Sequence, residues 1–325
     1  MALFSKRFHS LVLAAAAAIG PCAAVAADPY PVRPVRIVVG FPPGGGADSL
    51  ARLMAEHMSR NLRQPVVVEN RPGANATLAA ASVAAAPPDG YSVLLAADSV
   101  LGSDKTLYPA TVKYDENSFT LINRVASSYF VLAANKDAGI KRYADITLRA
   151  KNSSTPLFLA SPGGAHLQVI AAEFKRMSGL NLEEVPYKGG APAAMAVISG
   201  EAPLTLMGPG ALLPLVRQGQ VVPVAITNDR RSELTPGIPT LAEEGLKDFK
   251  LSFWYGLMGP AGMPEGVVRR LFEASSAALA DPAVRDKLAA LGYEPAPARS
   301  PEEFRASARE DGALLRTRVQ GLQAR

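Results

Sequence analysis

Three consecutive glycines, Gly44, Gly45 and Gly46, stand between a β-rich run, Val35–Phe41, and an amphipathic segment, Ala47–Leu62. A bare strand-to-helix junction aims unpaired N–H groups and the positive helix end at one spot. That is a natural place for an anion, and the missing side chains let a ligand approach the main chain closely. The stretch Phe41-Pro42-Pro43-Gly44-Gly45-Gly46-Ala47-Asp48 lacks the Gly-Lys-Ser/Thr of a Walker phosphate loop. It also lacks the dinucleotide pattern G-x-G-x-x-G, because Ala47, Asp48 and Ser49 follow Gly46 directly. Asp48 would repel a phosphate, and an acid there favours the start of the helix by about 0.5–2 kcal/mol. Taken alone, the loop fits a tight structural turn as well as an anion site.

The same arrangement recurs. Ser161-Pro162-Gly163-Gly164 follows the strand-like run Pro156–Ser161 and precedes a helix over Ala165–Met177. His166, in the first turn of that helix, suits a donor to a ligand carboxylate and equally a solvated or capping histidine. Two such turns facing each other beyond the carboxyl ends of their strands would form the two walls of a cleft, each helix end contributing about 0.3–1 kcal/mol toward an anion. Tyr187-Lys188-Gly189-Gly190 lies after another strand, where Lys188 reads as an anion contact or as an ordinary surface lysine.

Catalytic chemistry has little support. His57 falls on the apolar side of its helix and reads as structural, and His57 and His166 are too far apart for metal-ligand spacing. There is no G-x-S-x-G nucleophile elbow. A serine hydrolase built on Ser161 and His166 would lack an orienting acid. The adjacent acids Asp115-Glu116, Glu183-Glu184 and Glu243-Glu244 read as solvated faces or helix ends.

The elements that must position these residues alternate. Strands at 35–41, 65–70 and 91–97 enclose helices at 47–62 and 76–86, which gives β-α-β-α-β and a parallel sheet covered by helices. The pattern restarts near Phe130, with strands at 130–135, 156–161, 182–187, 203–207 and 221–227 and helices that include 165–177 and 191–198. A further strand spans 252–260. Pro264 opens a helix, and helices over 281–291 and 301–322 close the chain. The fold class is therefore α/β, with each unit a mostly parallel sheet flanked by helices. Pattern alone leaves open whether the helical tail is a third unit or returns to the first.

The 325 residues are 48% hydrophobic and 19% charged, which suits about two soluble domains. The net charge of +5 is scattered without a Lys/Arg tract, which argues against a nucleic-acid partner. Lys6 and Arg7, a short apolar stretch and Ala24-Val25-Ala26 form a secretory signal, residues 1–26, cut after Ala26 or Ala27. The apolar stretch is shorter than the roughly 20 residues that span a bilayer, so no stable membrane insertion is expected. Cys22 is the only cysteine; a lipoprotein anchor there would need a small residue where Pro21 stands. Cleavage at Ala26 leaves no thiol, disulfide or Cys-ligated metal.

The runs PVRPVRIVVGFPPGGGADSLARLMAEHM, PVVVENRPGANATLAAASVAAAPPDGYSVLLA, VPYKGGAPAAM, VPVAIT and PTLAEEG resemble the Bug/TctC family of periplasmic solute receptors, from about Tyr30 to the C-terminal helices. The resemblance implies a two-domain, Venus-flytrap periplasmic binding protein of type II-like organisation. It implies a first domain of 27–125, a second domain of 126–250, and a return of 251–325 to the first. It further implies a small carboxylate held in the interdomain cleft, partly through backbone amides and bridging water, with no cofactor and no metal. The ligand loops would be Phe41–Asp48, with Phe41, Pro42, Gly44, Gly45, Gly46, Ala47 and Asp48, and Ser161–His166, with Ser161, Gly163, Gly164 and His166. Ser99, Tyr187 and Lys188 would join them. The implied partners are membrane permease subunits of a tripartite tricarboxylate-type transporter; a sensor subunit for a membrane kinase is the alternative role. Ala196, Pro203 and Met207 stand where many members carry acids. Those residues predict a more apolar back to the cleft, and a ligand without an amino group at that end: a plain aromatic or aliphatic carboxylate. The loop Ala97–Pro109 also departs from the family pattern at Ser99.

Overall fold

A computed structural model describes residues 30–163 and 165–323. The signal segment, its cleavage site, Cys22 and Gly164 lie outside the described residues, as do the side chains of Ala165 and His166. The expected β-α-β-α-β opening forms: β1 (Val35–Val39), α1 (Gly46–Leu62), β2 (Val66–Asn70), α2 (Thr77–Ala84) and β3 (Ser92–Ala97). β1 pairs in parallel with both β2 and β3. Leu50, Leu53, Met54 and Met58 form the buried face of α1, as their helical spacing requires. The alanines of α2 let it lie flush against the sheet, and Ala79 and Ala80 are fully buried.

The chain then passes through α3 (Asp104–Leu107) into β4 (Phe119–Ser128). Beyond Tyr129-Phe130 it builds a second sheet from contiguous sequence: β5 (Val131–Asn135), α4 (Tyr143–Lys151), β6 (Leu157–Ser161), α5 (Ala165–Ser178), β7 (Leu182–Pro186), α6 (Gly190–Ile198), β8 (Leu204–Met207), α7 (Pro209–Arg217) and β9 (Val221–Ile226). The strand order is β7-β6-β8-β5-β9. β10 (Phe253–Pro260) returns to the first sheet, followed by α8 (Glu265–Ala280), α9 (Pro282–Ala290), β11 (Glu294–Pro295) and α10 (Pro301–Gln323). The first sheet reads β11-β4-β10-β3-β1-β2. The tail therefore adds strands to the first sheet.

Neither sheet is mostly parallel, in contrast to the expectation from the alternating pattern. In the first, β10 runs antiparallel to β3 and β4, and β11 antiparallel to β4. In the second, β6 is parallel to β7 and β8 while β5 is antiparallel to β8 and β9. The crossing strands cause this: β10 comes back from the other sheet and enters between β3 and β4 from the opposite end. A β-α-β alternation fixes only the direction of consecutive strands that a helix joins.

The interior polar groups are satisfied locally. Asn123, fully buried on β4, donates to the hydroxyls of Ser275 and Ser276 on α8 and accepts the Ala298 N–H. His57 is buried with its Nδ1 3.3 Å from an Asp281 carboxylate oxygen, a structural placement as expected.

Candidate functional site

A cavity of about 210 Å³ opens at the carboxyl ends of β1 and β3. β1 leads into it through Gly40 and Phe41, and β3 through Leu94–Ala97, with Ser99 and Val100 in the turn that follows. β10 contributes Phe253 and Tyr255. Residues spaced by two share a strand face, so Trp254 points the other way and meets Phe304 edge-on at 5.1 Å. Phe130, from the crossover to the second sheet, and Gly163 and Leu167, from the β6–α5 junction, complete the wall. Residues of both sheets therefore line one space.

Aromatic rings form one side. Phe130 stacks on Phe253 with centroids 5.0 Å apart and planes at 26°. Phe253 meets Tyr255 edge-on at 5.8 Å, and Tyr255 meets Tyr293 edge-on at 5.7 Å. The two phenols lie close enough to act on each other. Burial pushes the Tyr255 phenol well above its ordinary range, with Tyr293 and Asp98 adding to the rise. Burial also pushes Tyr293 up, to about 12. Both rings stay neutral hydrogen-bond donors at any physiological pH. The Tyr293 hydroxyl lies against Gly46: a Cβ there would sit 2.7 Å from it. Gly46 thus lets a phenol reach the first turn of α1.

The glycine loop is fastened from within. Asp48, 2% exposed, accepts the Gly44 N–H at 2.9 Å, Arg52 Nε at 2.9 Å and Asn70 Nδ2 at 2.8 Å. Asn70 also donates to the Phe41 carbonyl at 3.0 Å. Burial alone would raise the Asp48 pKa; the bonds from Arg52, Gly44 and Asn70 outweigh it and hold the carboxyl at about 2. The second loop has its own fastening. Ser161, fully buried, donates to Glu184 Oε1 at 2.6 Å and accepts the Gly163 N–H at 3.2 Å. Glu184 is therefore not merely a solvated acid. Gly163, at φ 76°, takes a left-handed turn that keeps the loop tight against the Tyr187 carbonyl.

Of the sequence-predicted residues, Phe41, Ser99 and Gly163 line the cavity. Pro42, Gly44, Gly45, Gly46 and Ala47 do not; they form the loop and the helix start beside it, and Asp48 ties that loop down. Ser161 stands behind Gly163 rather than in the wall, because its hydroxyl is committed to Glu184 and its loop. The Tyr187 hydroxyl donates to Glu201 at 2.7 Å, and Lys188 is exposed; neither lines the cavity. Ala196 and Met207 are buried in the second sheet's core with Val131, Ala160 and Leu212, so they do not supply the apolar lining that their types suggested. Pro203 precedes β8, also outside the lining. The apolar character comes instead from Leu94, Leu95, Phe130, Leu167 and Phe253. A period of two over Phe253 and Tyr255 was the legible signal for that wall; Phe130 carried none.

Among the described residues no cluster of His, Cys, Asp and Glu could hold a metal, and no helix is long and apolar enough to cross a membrane.

Two α/β sheets with a cavity between their strand ends define the periplasmic-binding-protein class. A profile described as the tripartite tricarboxylate transporter family receptor, TctC, matches residues 50–311. An Agrobacterium vitis protein from the TAR-I ttuE-ttuC' intergenic region is 35% identical over 292 residues, 90% of this chain and 84% of that one. A Rhodopseudomonas palustris protein solved with adipate is 29% identical with a TM-score of 0.81, covering 90% of this chain and 98% of its own. MatC from the same organism, solved with bound malate, is 29% identical with a TM-score of 0.77, covering 89% and 100%. The chain belongs to the TctC, or Bug, family of periplasmic solute receptors. It is a receptor family, not an enzyme family, which agrees with the buried and engaged Ser161 hydroxyl.

Proposed function

We propose that this chain binds a small carboxylate in the cavity between its sheets and delivers it, in the periplasm, to the membrane permease of a tripartite tricarboxylate-type transporter. The observation that carries the reading is the lining itself: one space is shared by β1, β3 and β10 of the first sheet and by Phe130, Gly163 and Leu167 of the second. A ligand that touches both sides stabilises their approach. Malate and adipate in the two related structures support a carboxylate guest. In this reading the lobes are 27–125 with 251–325, and 126–250. In this reading Phe41 and Gly163 bring the two glycine loops to the cavity.

A thermal-shift screen of residues 27–325 against mono-, di- and tricarboxylates, amino acids and sugars tests the proposal. A ligand at 100 times its Kd adds about 2.7 kcal/mol to stability. The expected result is a rise in melting temperature with carboxylates alone. Stabilisation by sugars or amines, with none by any carboxylate, overturns it.

A further inference from the structure

The polar and apolar parts of the cavity are segregated. Tyr255 lies opposite Ala97 in the β3–β10 register, and Ser99 sits in the turn immediately after β3. The two lining hydroxyls therefore gather at the carboxyl end of β3. The Ser99 hydroxyl takes no hydrogen-bond partner among the described residues, although it faces the cavity. Tyr255 is backed by Tyr293, whose hydroxyl abuts Gly46 in the first turn of α1. The rest of the wall is hydrocarbon: the Phe130–Phe253 stack, with Leu94 and Leu95 from β3 and Leu167 from α5. A cavity of about 210 Å³ falls below the roughly 300–1,000 Å³ of sites for drug-sized ligands, so the guest is small.

We infer that the ligand is a hydrophobic monocarboxylate: its single carboxylate accepts hydrogen bonds from Ser99 and Tyr255, and its apolar body lies against Phe130 and Phe253. This rests on the carboxylate-receptor reading above and narrows it. A second carboxylate would be pressed against aromatic and aliphatic carbon and lose its hydration there, a cost that an apolar body does not carry.

The test is calorimetric titration of the protein, stripped of co-purified ligand by unfolding and refolding, with benzoate, hexanoate, adipate and malate. Benzoate or hexanoate binding at least tenfold more tightly than adipate and malate is the expected result. Adipate or malate binding as tightly or more tightly overturns the inference and leaves the carboxylate-receptor reading standing. No binding by any of the four, with sugars or amines binding instead, overturns both. Tyr255→Phe and Ser99→Ala test the head group. A hydrogen bond to a charged group is worth enough that losing one weakens binding by about tenfold or more. Each variant should lose that factor for the preferred acid at an unchanged melting temperature. Wild-type affinity in both folded variants overturns the assignment of the carboxylate to these hydroxyls.

Discussion

Asp48→Asn isolates the fastening of the glycine loop. The substitution keeps the size of the side chain and removes its charge. Asparagine offers one oxygen where the carboxylate accepts three donors, and its amide meets the donors of Gly44, Arg52 or Asn70 head-on. The Asp48 carboxyl sits at about 2 against an ordinary value of 3.8. At 1.36 kcal/mol per pK unit, the folded state gains about 2.5 kcal/mol from the ionised form. Arg52, the first of the groups that lower it, is half exposed, so its share is screened by solvent; Gly44 and Asn70 add to it. A depressed carboxyl contributes above its unfolded value and loses the contribution as pH falls through its folded value. The window is therefore pH 4 to pH 2. Urea unfolding at a series of pH values should show Asp48→Asn about 2 kcal/mol less stable than wild type at pH 7. The gap should narrow as the pH falls from 4 to 2. Arg52→Ala should cost under about 1 kcal/mol. A variant as stable as wild type at pH 7, or a gap that does not change with pH, would refute the claim that the ionised carboxylate holds this loop.

Gly46→Ala places a Cβ 2.7 Å from the Tyr293 hydroxyl, so the phenol must swing away from Tyr255. Calorimetry should show weaker ligand binding, while the melting temperature changes little because only a side-chain end is displaced. Gly210→Ala is harsher. Its Cβ would lie 2.2 Å from the Leu291 carbonyl oxygen, which is backbone and cannot turn aside, so urea unfolding should report a loss of about 1–3 kcal/mol or more. Stability within experimental error of wild type would show that α7 can shift freely against the turn after α9. Ser161→Ala removes a donor to Glu184 and an acceptor for the Gly163 N–H; a loss of about 1–3 kcal/mol in thermal or urea unfolding is expected.

The parts of this molecule that sequence discloses are those whose causes are local. The helical spacing of Leu50, Leu53, Met54 and Met58 places α1, and the β-rich runs on either side place β1 and β2. Even Asp48 is legible as an acid at a helix start, although its reach back to Gly44 and across to Asn70 depends on β2 lying alongside. β4 is a different matter. Its run Phe119–Ser128 carries Asn123, Arg124 and two serines, and reads as no clear alternation. It becomes a strand because β10, more than 120 residues later in the sequence, pairs along its length, and because α8 supplies partners for Asn123. The same remoteness hid Tyr255 and Phe130 from a site prediction centred on glycines. Ala196 and Met207 teach the converse lesson: apolar residues expected at the back of a cleft can instead fill the core behind the sheet.

The position of β10 between β3 and β4 also dictates an order of assembly. All strands of the second sheet, residues 131–226, come from one continuous stretch, so that sheet can pair as soon as its own residues are available. The first sheet cannot. Until residue 260 has emerged, β3 and β4 each hold an unpaired edge, and the slot between them is empty. A chain released from its amino end carries those open edges while the middle of the molecule is already folding, and exposed strand edges are where chains stick to one another. The lobe begun first is thus the lobe completed last. The cavity, whose wall includes Phe253 and Tyr255 on that late strand, comes into being only once β10 has filled the slot.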